Sequence, residues 1–348
     1  MTTALHIQTT ALPIALWTFA SAWLCQLAAV EGQAWATFPG KDGPGKGKQV
    51  VFVVGDDEYR SEEGMPLLAR ILAERHGFDC TVLFAINKVT GVIDTDTLDN
   101  IPGLEALDHA DLMVMFTRFR ALPDAQMKHI IDFCDSGHGI IGLRTATHAF
   151  NFGAGESAYR KYGFNSHEAG WEGGWGRQVL GETWVAHWGD HGRQSTRGLF
   201  SPGAASSPLL RGIADGEIWV TTDVYQVSLP LPPGTTPLVL GQVLAGMKPD
   251  DAPAAARGSI DKNAPMMPVA WTRTYTGPSG RPSRVFTTTM GGGMAGRPDW
   301  DCEALRRLLV NAVYWGVGLE DAIPAKAEVA PVGANGFKRG VRPQDVRP

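Results

Sequence analysis

The chain has few cysteines, which excludes a fold held together by disulfide bonds. Only 4 of its 348 residues are cysteine, and one of them, Cys25, lies in an apolar N-terminal segment. The other three are far apart and none belongs to a CxxC pair, so they form no disulfide framework. Cys80 falls in an apolar strand pattern and Cys134 on an apolar helix face, which predicts that both are buried hydrophobic residues.

A strong charge of either sign is missing as well. Charged residues make up 19% of the chain and the net charge of -5 is spread along it, which excludes a nucleic-acid partner. The hydrophobic share of 44% is that of an ordinary globular protein. The 42 glycines, 23 prolines and 11 tryptophans indicate long, ordered loops.

Lysine and arginine are absent from the first ten positions, where a signal peptide ordinarily carries them. An uncharged apolar run nevertheless covers residues 11–30, and the small-residue pattern Ala34-Trp35-Ala36 follows it. We therefore predict that residues 1–36 are a secretory signal peptide cleaved after Ala34 or Ala36, and that the protein is exported to the periplasm or the extracellular space. The run is also long enough to span a bilayer, so an uncleaved membrane anchor is the alternative.

The remainder is predicted to form one α/β domain at residues 49–323. A flexible glycine- and lysine-rich linker at residues 37–48 precedes it, and a C-terminal tail at residues 324–348 follows it. Continuous apolar runs alternate with helical patterns in the first part of the domain, which predicts right-handed crossovers and a parallel sheet covered by helices. Residues 151–265 are rich in Gly, Trp and Pro and form a long loop-rich insertion, because strand patterns return after them.

Two signals of a catalytic nucleophile are absent, and a cofactor motif is present without the chain that it needs. The sequence has no GxSxG elbow and no cysteine directly after a predicted strand. Residues 291–296 satisfy GxGxxG, but too little chain follows for the second βαβ unit of a dinucleotide-binding fold. The sequence therefore predicts no dinucleotide cofactor.

Three loops are the candidates for a ligand site, because ligands bind beyond the carboxyl ends of the strands in parallel sheets. The first two loops supply the candidate ligand-binding residues Asp56, Glu58, Arg60 and Arg118. The third supplies donors that suit an anion or a sugar, together with a candidate acid or base; these residues are Arg144, Thr145, Thr147 and His148. The alternative for Arg144 is an ion pair with a loop carboxylate, Asp56 or Glu58, that ties two loops together.

His187 and His191 stand four residues apart, a spacing typical of zinc ligands on a helix. Gly189 and Gly192 make a continuous helix there unfavourable, so the spacing loses that meaning. We therefore predict polar loop histidines, with zinc binding as the alternative.

Four segments taken together resemble one known family. They are VGDDEYRSEEG, the stretch from Ala110 to Phe150, LGETWVAHWGDHG, and RVFTTTM with the helix that ends in VYWGVGLE. The chain from about Gln49 to Ile323 is similar to the trehalose-utilisation, ThuA-like family. The resemblance implies a class I glutamine-amidotransferase-like, flavodoxin-like parallel sheet between helices. It also implies a role in carbohydrate metabolism, particularly with disaccharides and their oxidised forms.

The resemblance implies roles for individual residues as well. His187 retains the histidine of the family's Phe-x-x-His segment, while the family's Asp-Glu-x-Tyr pattern appears here, with a departure, as Thr222-Asp223-Val224-Tyr225. We therefore expect His187 and Asp223, with His148, to be catalytic. We expect Tyr225 and His191 to contact the substrate.

Several positions depart from the family pattern. Arg144 stands where the family often has the histidine of Gly-Leu-His, and residues 291–293 are glycines where it often has Gly-His-Glu. Ser207 replaces the histidine of its His-Pro pair. These changes leave too few converging ligands for zinc, so no metal is predicted. Glutamine hydrolysis is not expected either, because Arg144 or Thr145 occupies the place of the amidotransferase cysteine.

The leading hypothesis is an exported enzyme that acts on a keto-sugar or a glycoside by acid/base chemistry. Its predicted partner is a small-molecule carbohydrate, and a membrane is a partner only if the N-terminal segment is uncleaved. The rival hypothesis is a non-catalytic carbohydrate- or anion-binding module with a degraded active site. Nothing in the sequence specifies an oligomeric state.

Overall fold

The computed structural model describes residues 1–2, 34–294, 297–333 and 340–345. Nearly all of the predicted signal peptide, including the alternative membrane anchor, lies outside the described residues. From residue 34 onward the described chain belongs to one compact unit. Within these ranges, no helix combines the length and the apolar character that crossing a membrane requires.

A ten-stranded sheet organises this unit. The strands of the described chain, including two short ribbons outside the large sheet, are β1 (Trp35–Phe38), β2 (Gln49–Gly55), β3 (Asp79–Phe84), β4 (Leu112–Thr117), β5 (Gly139–Leu143), β6 (Ala186–His187), β7 (Thr196–Phe200), β8 (Ile218–Val220), β9 (Tyr225–Gln226), β10 (Thr235–Val243), β11 (Met267–Thr276), β12 (Pro282–Thr288), β13 (Gly293–Met294) and β14 (Arg297–Pro298). The large sheet has the order β1-β3-β2-β4-β5-β12-β11-β10-β7-β8.

Parallel pairing holds one half of the sheet together. Strands β3, β2, β4, β5 and β12 are neighbours in that order and all run parallel. Helices α1 (Ser61–His76) and α3 (Glu303–Gly316) cover one face, and α2 (Asp124–Cys134) covers the other. Both faces are therefore apolar, which explains why β2 and β4 read as continuous hydrophobic runs. This half confirms the α/β class.

The other half of the sheet differs from the predicted parallel sheet. Strands β12, β11, β10, β7 and β8 pair antiparallel in that order, and β1 pairs antiparallel with β3. Only residues 277–281 connect β11 to β12, a length that permits a hairpin but not a parallel crossover. The sheet is therefore mixed, and the insertion contributes three of its strands.

The segments on either side of the predicted domain are also ordered where they are described. Residues 37–48, predicted to be a flexible linker, contain the second half of β1 and turns hydrogen-bonded to the end of α1. Glycine permits this close approach, because a Cβ at Gly40 would lie 2.3 Å from the Gly77 carbonyl oxygen. In the C-terminal segment, Ala327 and Val329 are buried. The fold thus reaches beyond residues 49–323 on both sides.

Candidate functional site

The carboxyl ends of β2, β4 and β5 lie side by side, and each is followed by a strained residue. Arg60, Phe119 and Arg144 have φ values of 57°, 51° and 44°, and they are the non-glycine residues with positive φ in the described chain. A non-glycine residue in this conformation costs about 1–2 kcal/mol. Such strain concentrates at functional sites, and here it marks the edge where the sheet topology predicts ligand binding.

Asp56 shapes the first loop from inside the protein. Its carboxylate accepts hydrogen bonds from the backbone N–H groups of Glu58 and Tyr59 and from the Thr145 hydroxyl, and it has no exposed surface. Burial raises the pKa of this carboxyl, an effect that the three hydrogen bonds reduce but do not cancel. Asp56 and Thr145 were predicted to bind the ligand. Both are instead buried supports of the loop that carries Glu58.

Arg144 is completely buried and its hydrogen bonds go to the protein itself. One terminal nitrogen donates to the backbone oxygens of Asp223 and Thr289, at 2.7 and 2.9 Å. The other donates to Asp223 Oδ1 at 2.8 Å and to the Tyr59 hydroxyl at 3.1 Å. The guanidinium carbon also lies 3.6 Å from the centre of the Tyr225 ring. Arg144 is therefore a structural clamp, although its partner is Asp223 rather than Asp56 or Glu58.

Asp223 lies at the centre of the site and receives three charge-assisted hydrogen bonds. Its Oδ1 atom accepts from Arg144 and from His191 Nδ1, the latter at 3.1 Å. Its Oδ2 atom accepts from His187 Nδ1 at 2.7 Å. Burial alone would raise the pKa of this carboxyl, but the Arg144 charge and the two histidines hold the pKa far below its ordinary value. Asp223 is therefore ionised and fixed.

His187 and His191 are the accessible groups of the site. Their side chains are 37% and 34% exposed, and their ring centroids are 4.5 Å apart. His187 lies in the short strand β6, whose pairing with β9 places it opposite Tyr225. Because Nδ1 of His187 donates to Asp223, Nε2 is the ring nitrogen that can contact a ligand. In His191, Nε2 lies 3.3 Å from Glu58 Oε1.

His148 was predicted to be an acid or base, but it is 3% exposed and lies beneath aromatic rings. Its ring centroid is 5.0 Å from that of Phe119 and 5.5 Å from that of Trp184. Burial, followed by the nearby positive charges of Arg118 and Arg144, lowers the pKa of this histidine well below its ordinary value. His148 is therefore a neutral packing residue in this arrangement.

Thr147 and Tyr225 are also buried rather than open to a ligand. The Thr147 hydroxyl donates to the Arg144 carbonyl oxygen at 3.1 Å, and the Tyr225 ring packs on the Arg144 guanidinium. Both residues support the clamp. Tyr225 was predicted to contact the substrate. It is instead buried, packs on Arg144 and pairs with His187 across the β6–β9 ribbon.

The rim of the site carries charge. Arg118 is 25% exposed and forms ion pairs with Asp57 at 3.0 Å and with Glu58 at 3.2 Å. Its guanidinium also lies 4.6 Å from the centre of the Phe119 ring. Arg60 was predicted to join this group, but its ion pair is with Glu63 on the exposed side of α1. Of the predicted loop residues, Glu58 therefore contacts His191, and Arg118 is joined to the site by its ion pair with Glu58.

Three aromatic residues of the site were not predicted from the sequence. Phe119, Phe164 and Trp184 are partly exposed, and their rings surround the buried His148. Trp184 also lies 5.7 Å from the His187 ring. The position of Trp184, three residues before His187, could have indicated from the sequence that it belongs to the site. Phe164 lies in the insertion, far from any strand pattern, and no local signal marks it.

The prediction that too few metal ligands converge is wrong for one trio. One ligand atom from each of His187, His191 and Asp223 lies within 4.8 Å of the other two. The trio does not fit a divalent metal as arranged, because the Arg144 cation donates to the same carboxylate at 2.8 Å. The 2.7 Å between His187 Nδ1 and Asp223 Oδ2 is a hydrogen-bond length. Two ligand atoms at about 2.0 Å from a tetrahedral zinc would be about 3.3 Å apart.

Comparison with known proteins identifies the family. The fold is similar to the crystal structure of a protein described as ThuA-like from Parabacteroides merdae, with a TM-score of 0.50 and 13% sequence identity over 78% of this chain and 90% of that one. No curated protein matches the sequence. The family model for ThuA, trehalose utilisation, matches residues 49–316. The chain therefore belongs to the ThuA family, and this membership implies a carbohydrate-related role.

Proposed function

We propose that the protein is an exported, sugar-active enzyme in which His187 is the general base. The observation that carries the proposal is the 2.7 Å hydrogen bond between His187 Nδ1 and the buried Asp223 carboxylate. A carboxylate at Nδ1 selects the tautomer whose Nε2 lone pair is free to accept a proton. The same carboxylate stabilises the imidazolium that forms when the proton is taken.

The chemistry follows from this pair. Nε2 of His187 accepts a proton from a sugar hydroxyl, or from a carbon next to the ketone of a keto-sugar. Arg144 holds Asp223 in place from the buried side, so the imidazole is oriented before the substrate arrives. A positioned general base of this kind contributes about 10²–10⁴-fold to a rate.

The surroundings of the pair support a carbohydrate as the substrate. Trp184 and Phe119 offer partly exposed aromatic surface, while Glu58 and Arg118 offer charged hydrogen-bonding groups at the rim. Sites for small molecules combine such apolar surface with a few polar groups. The spatial order of the five parallel strands is second, first, third, fourth and fifth along the chain, which supports the flavodoxin-like assignment and a site at their carboxyl ends.

A second candidate function is a non-catalytic carbohydrate-binding module. The observation that favours it is the burial of Arg144 and His148, two of the groups expected to act on a substrate. Saturable binding without turnover would support this module and overturn the enzyme.

An activity screen with a matched variant tests the proposal. Purified protein is assayed on keto-disaccharides and glycosides, and binding of the same sugars is measured by calorimetry. We expect turnover that falls about 10²–10⁴-fold in His187→Gln, with binding retained. His129→Gln is the control, because His129 also pairs with a carboxylate, Asp108 at 2.8 Å, but on the exposed surface of α2. Full activity of His187→Gln would contradict the assignment.

A further inference from the structure

His191 differs from His187 in the number of carboxylates that its ring contacts. Both of its ring nitrogens face a carboxylate, Nδ1 at 3.1 Å from Asp223 Oδ1 and Nε2 at 3.3 Å from Glu58 Oε1. A neutral imidazole has one N–H group and donates to one acceptor only, whereas an imidazolium donates to two. Ionised carboxylates are acceptors and cannot donate. Two of them around one ring therefore select the imidazolium.

We propose that Glu58 and Asp223 hold His191 as an imidazolium, and that His191 is the proton donor that complements the base His187. The second part rests on the proposed function of His187. The two rings are 4.5 Å apart, so one small substrate contacts both. The two histidines differ in their partners, because His187 faces one carboxylate and His191 faces two, and such differences in environment separate a base from an acid.

The charged groups around His191 are consistent with this state. Hydrogen bonding to Asp223 raises the pKa of His191, partial burial opposes it, and the charges of Asp223 and Glu58 raise it further. Arg144 opposes the positive charge, but its guanidinium already donates to Asp223. The ring centroids of Tyr59 and His191 are 6.3 Å apart, and the two rings meet edge to face. Asp190, the preceding residue, is paired with Lys262 at 2.7 Å.

Glu58 is a positioning residue in this proposal. Its backbone N–H donates to Asp56 Oδ1 at 2.8 Å, and its carboxylate pairs with Arg118 at 3.2 Å. The loop and the side chain are therefore both held. Asp56 holds the backbone of this loop from the buried side, and Arg118 holds the Glu58 carboxylate at the rim.

The proton transfers balance without any co-reactant. His187 Nε2 removes the proton from the carbon next to the ketone, and the electrons of that C–H bond form a C=C bond. The N–H group at His191 Nε2, whose 3.3 Å contact with Glu58 is the longer of its two, turns to the ketone oxygen, and the electrons of the C=O bond take its proton, which gives an enediol. His187 becomes an imidazolium while His191 becomes neutral, so the total charge is unchanged. His187 then gives its proton to the former carbonyl carbon, and His191 takes the proton of the other enediol hydroxyl, which moves the ketone by one carbon and restores both histidines.

Nuclear magnetic resonance tests the charge state without any substrate. Protein with 15N-labelled histidine is compared with His191→Asn to assign the ring signals. We expect both nitrogens of His191 to be protonated at pH 7, and Glu58→Gln to lower the pKa of His191 by about one unit. Asp108→Asn, which removes the carboxylate from the His129 pair, should leave the His191 signals in place. A neutral His191 ring at pH 7, or no response to Glu58→Gln, would overturn the proposal.

Kinetics separates this proposal from the proposed function. In Glu58→Gln the high-pH limb of kcat should move to lower pH by the same amount, with KM nearly unchanged, and Glu58→Asp should restore part of it. Turnover in the wild type with a neutral His191 ring leaves His187 as the base and refutes the donor role. Absence of turnover refutes the enzyme and the donor role together, whatever the resonance experiment shows for the charge of His191.

Discussion

Arg144 and Asp223 form an ion pair in which neither side chain has exposed surface, with Nη2 and Oδ1 2.8 Å apart. The pair joins the end of β5 to the segment before β9, two places that are 79 residues apart in the chain. It also orients the carboxylate to which both accessible histidines donate. The stability of the fold and the geometry of the site therefore depend on the same contact.

The first prediction concerns this pair. Arg144→Met should lower the free energy of unfolding by about 3–5 kcal/mol, because it leaves the Asp223 charge buried without its main partner. Urea denaturation of the ligand-free protein measures this loss. Arg60→Met is the control, since Arg60 also has positive φ but forms only an exposed ion pair, whose loss costs about 0–1 kcal/mol. A small loss in Arg144→Met would return Arg144 to the ligand-binding role expected from the sequence.

The second prediction is a loss of stability in mild acid. His148 and His76 are buried, and burial lowers the pKa of each below the ordinary value near 6.5. As pH falls below that value the unfolded chain binds protons that the folded protein does not bind, so the free energy of unfolding decreases. The slope is at most about 1.4 kcal/mol per pH unit for each histidine.

Denaturation of wild type and His148→Gln at pH 8 and pH 5 measures this slope, which should be shallower in the variant. His191 acts in the opposite direction, because a raised pKa gives stability that is present at low pH and lost as pH rises through that pKa. Parallel pH dependence in the two proteins would contradict the role given to His148.

The third prediction is the first residue of the mature protein. Cleavage after Ala36 would remove Trp35 and Ala36, which pair with Leu83 and Val82 in the sheet, and Ala36 is buried. N-terminal sequencing of the native protein should therefore begin at Trp35, after cleavage at Ala34. An intact Met1 in a membrane fraction would favour the anchor. An intact Met1 in a soluble cytoplasmic fraction would refute export.

The fourth prediction concerns zinc. The protein should carry no stoichiometric zinc after dialysis, because Arg144 and the two histidines already occupy the Asp223 carboxylate. Elemental analysis measures the content. One zinc per chain that is lost in His187→Ala would show that the metal displaces these hydrogen bonds.

The sequence by itself determined the elements whose signals are local. Strands β2 to β5 and helices α1 to α3 are readable because an apolar run or a helical stripe depends only on neighbouring residues. The edge that holds the site was also predictable, because parallel crossovers have a fixed hand and put successive strand ends together. Glu58 and Arg118 follow β2 and β4 at that edge, whereas His187 and His191 lie in the insertion and were candidates from their spacing and from the family resemblance.

Only the tertiary structure decided which polar side chains are buried and with which partners. Arg144 reads as a ligand-binding residue because the strand before it points to the site edge, whereas the chain turns at φ 44° and places it against Asp223. Three strands of the insertion join the sheet antiparallel, and their pairing depends on contacts between residues far apart in the chain. Burial and long-range pairing are properties of the assembled fold, so no window of sequence contains them.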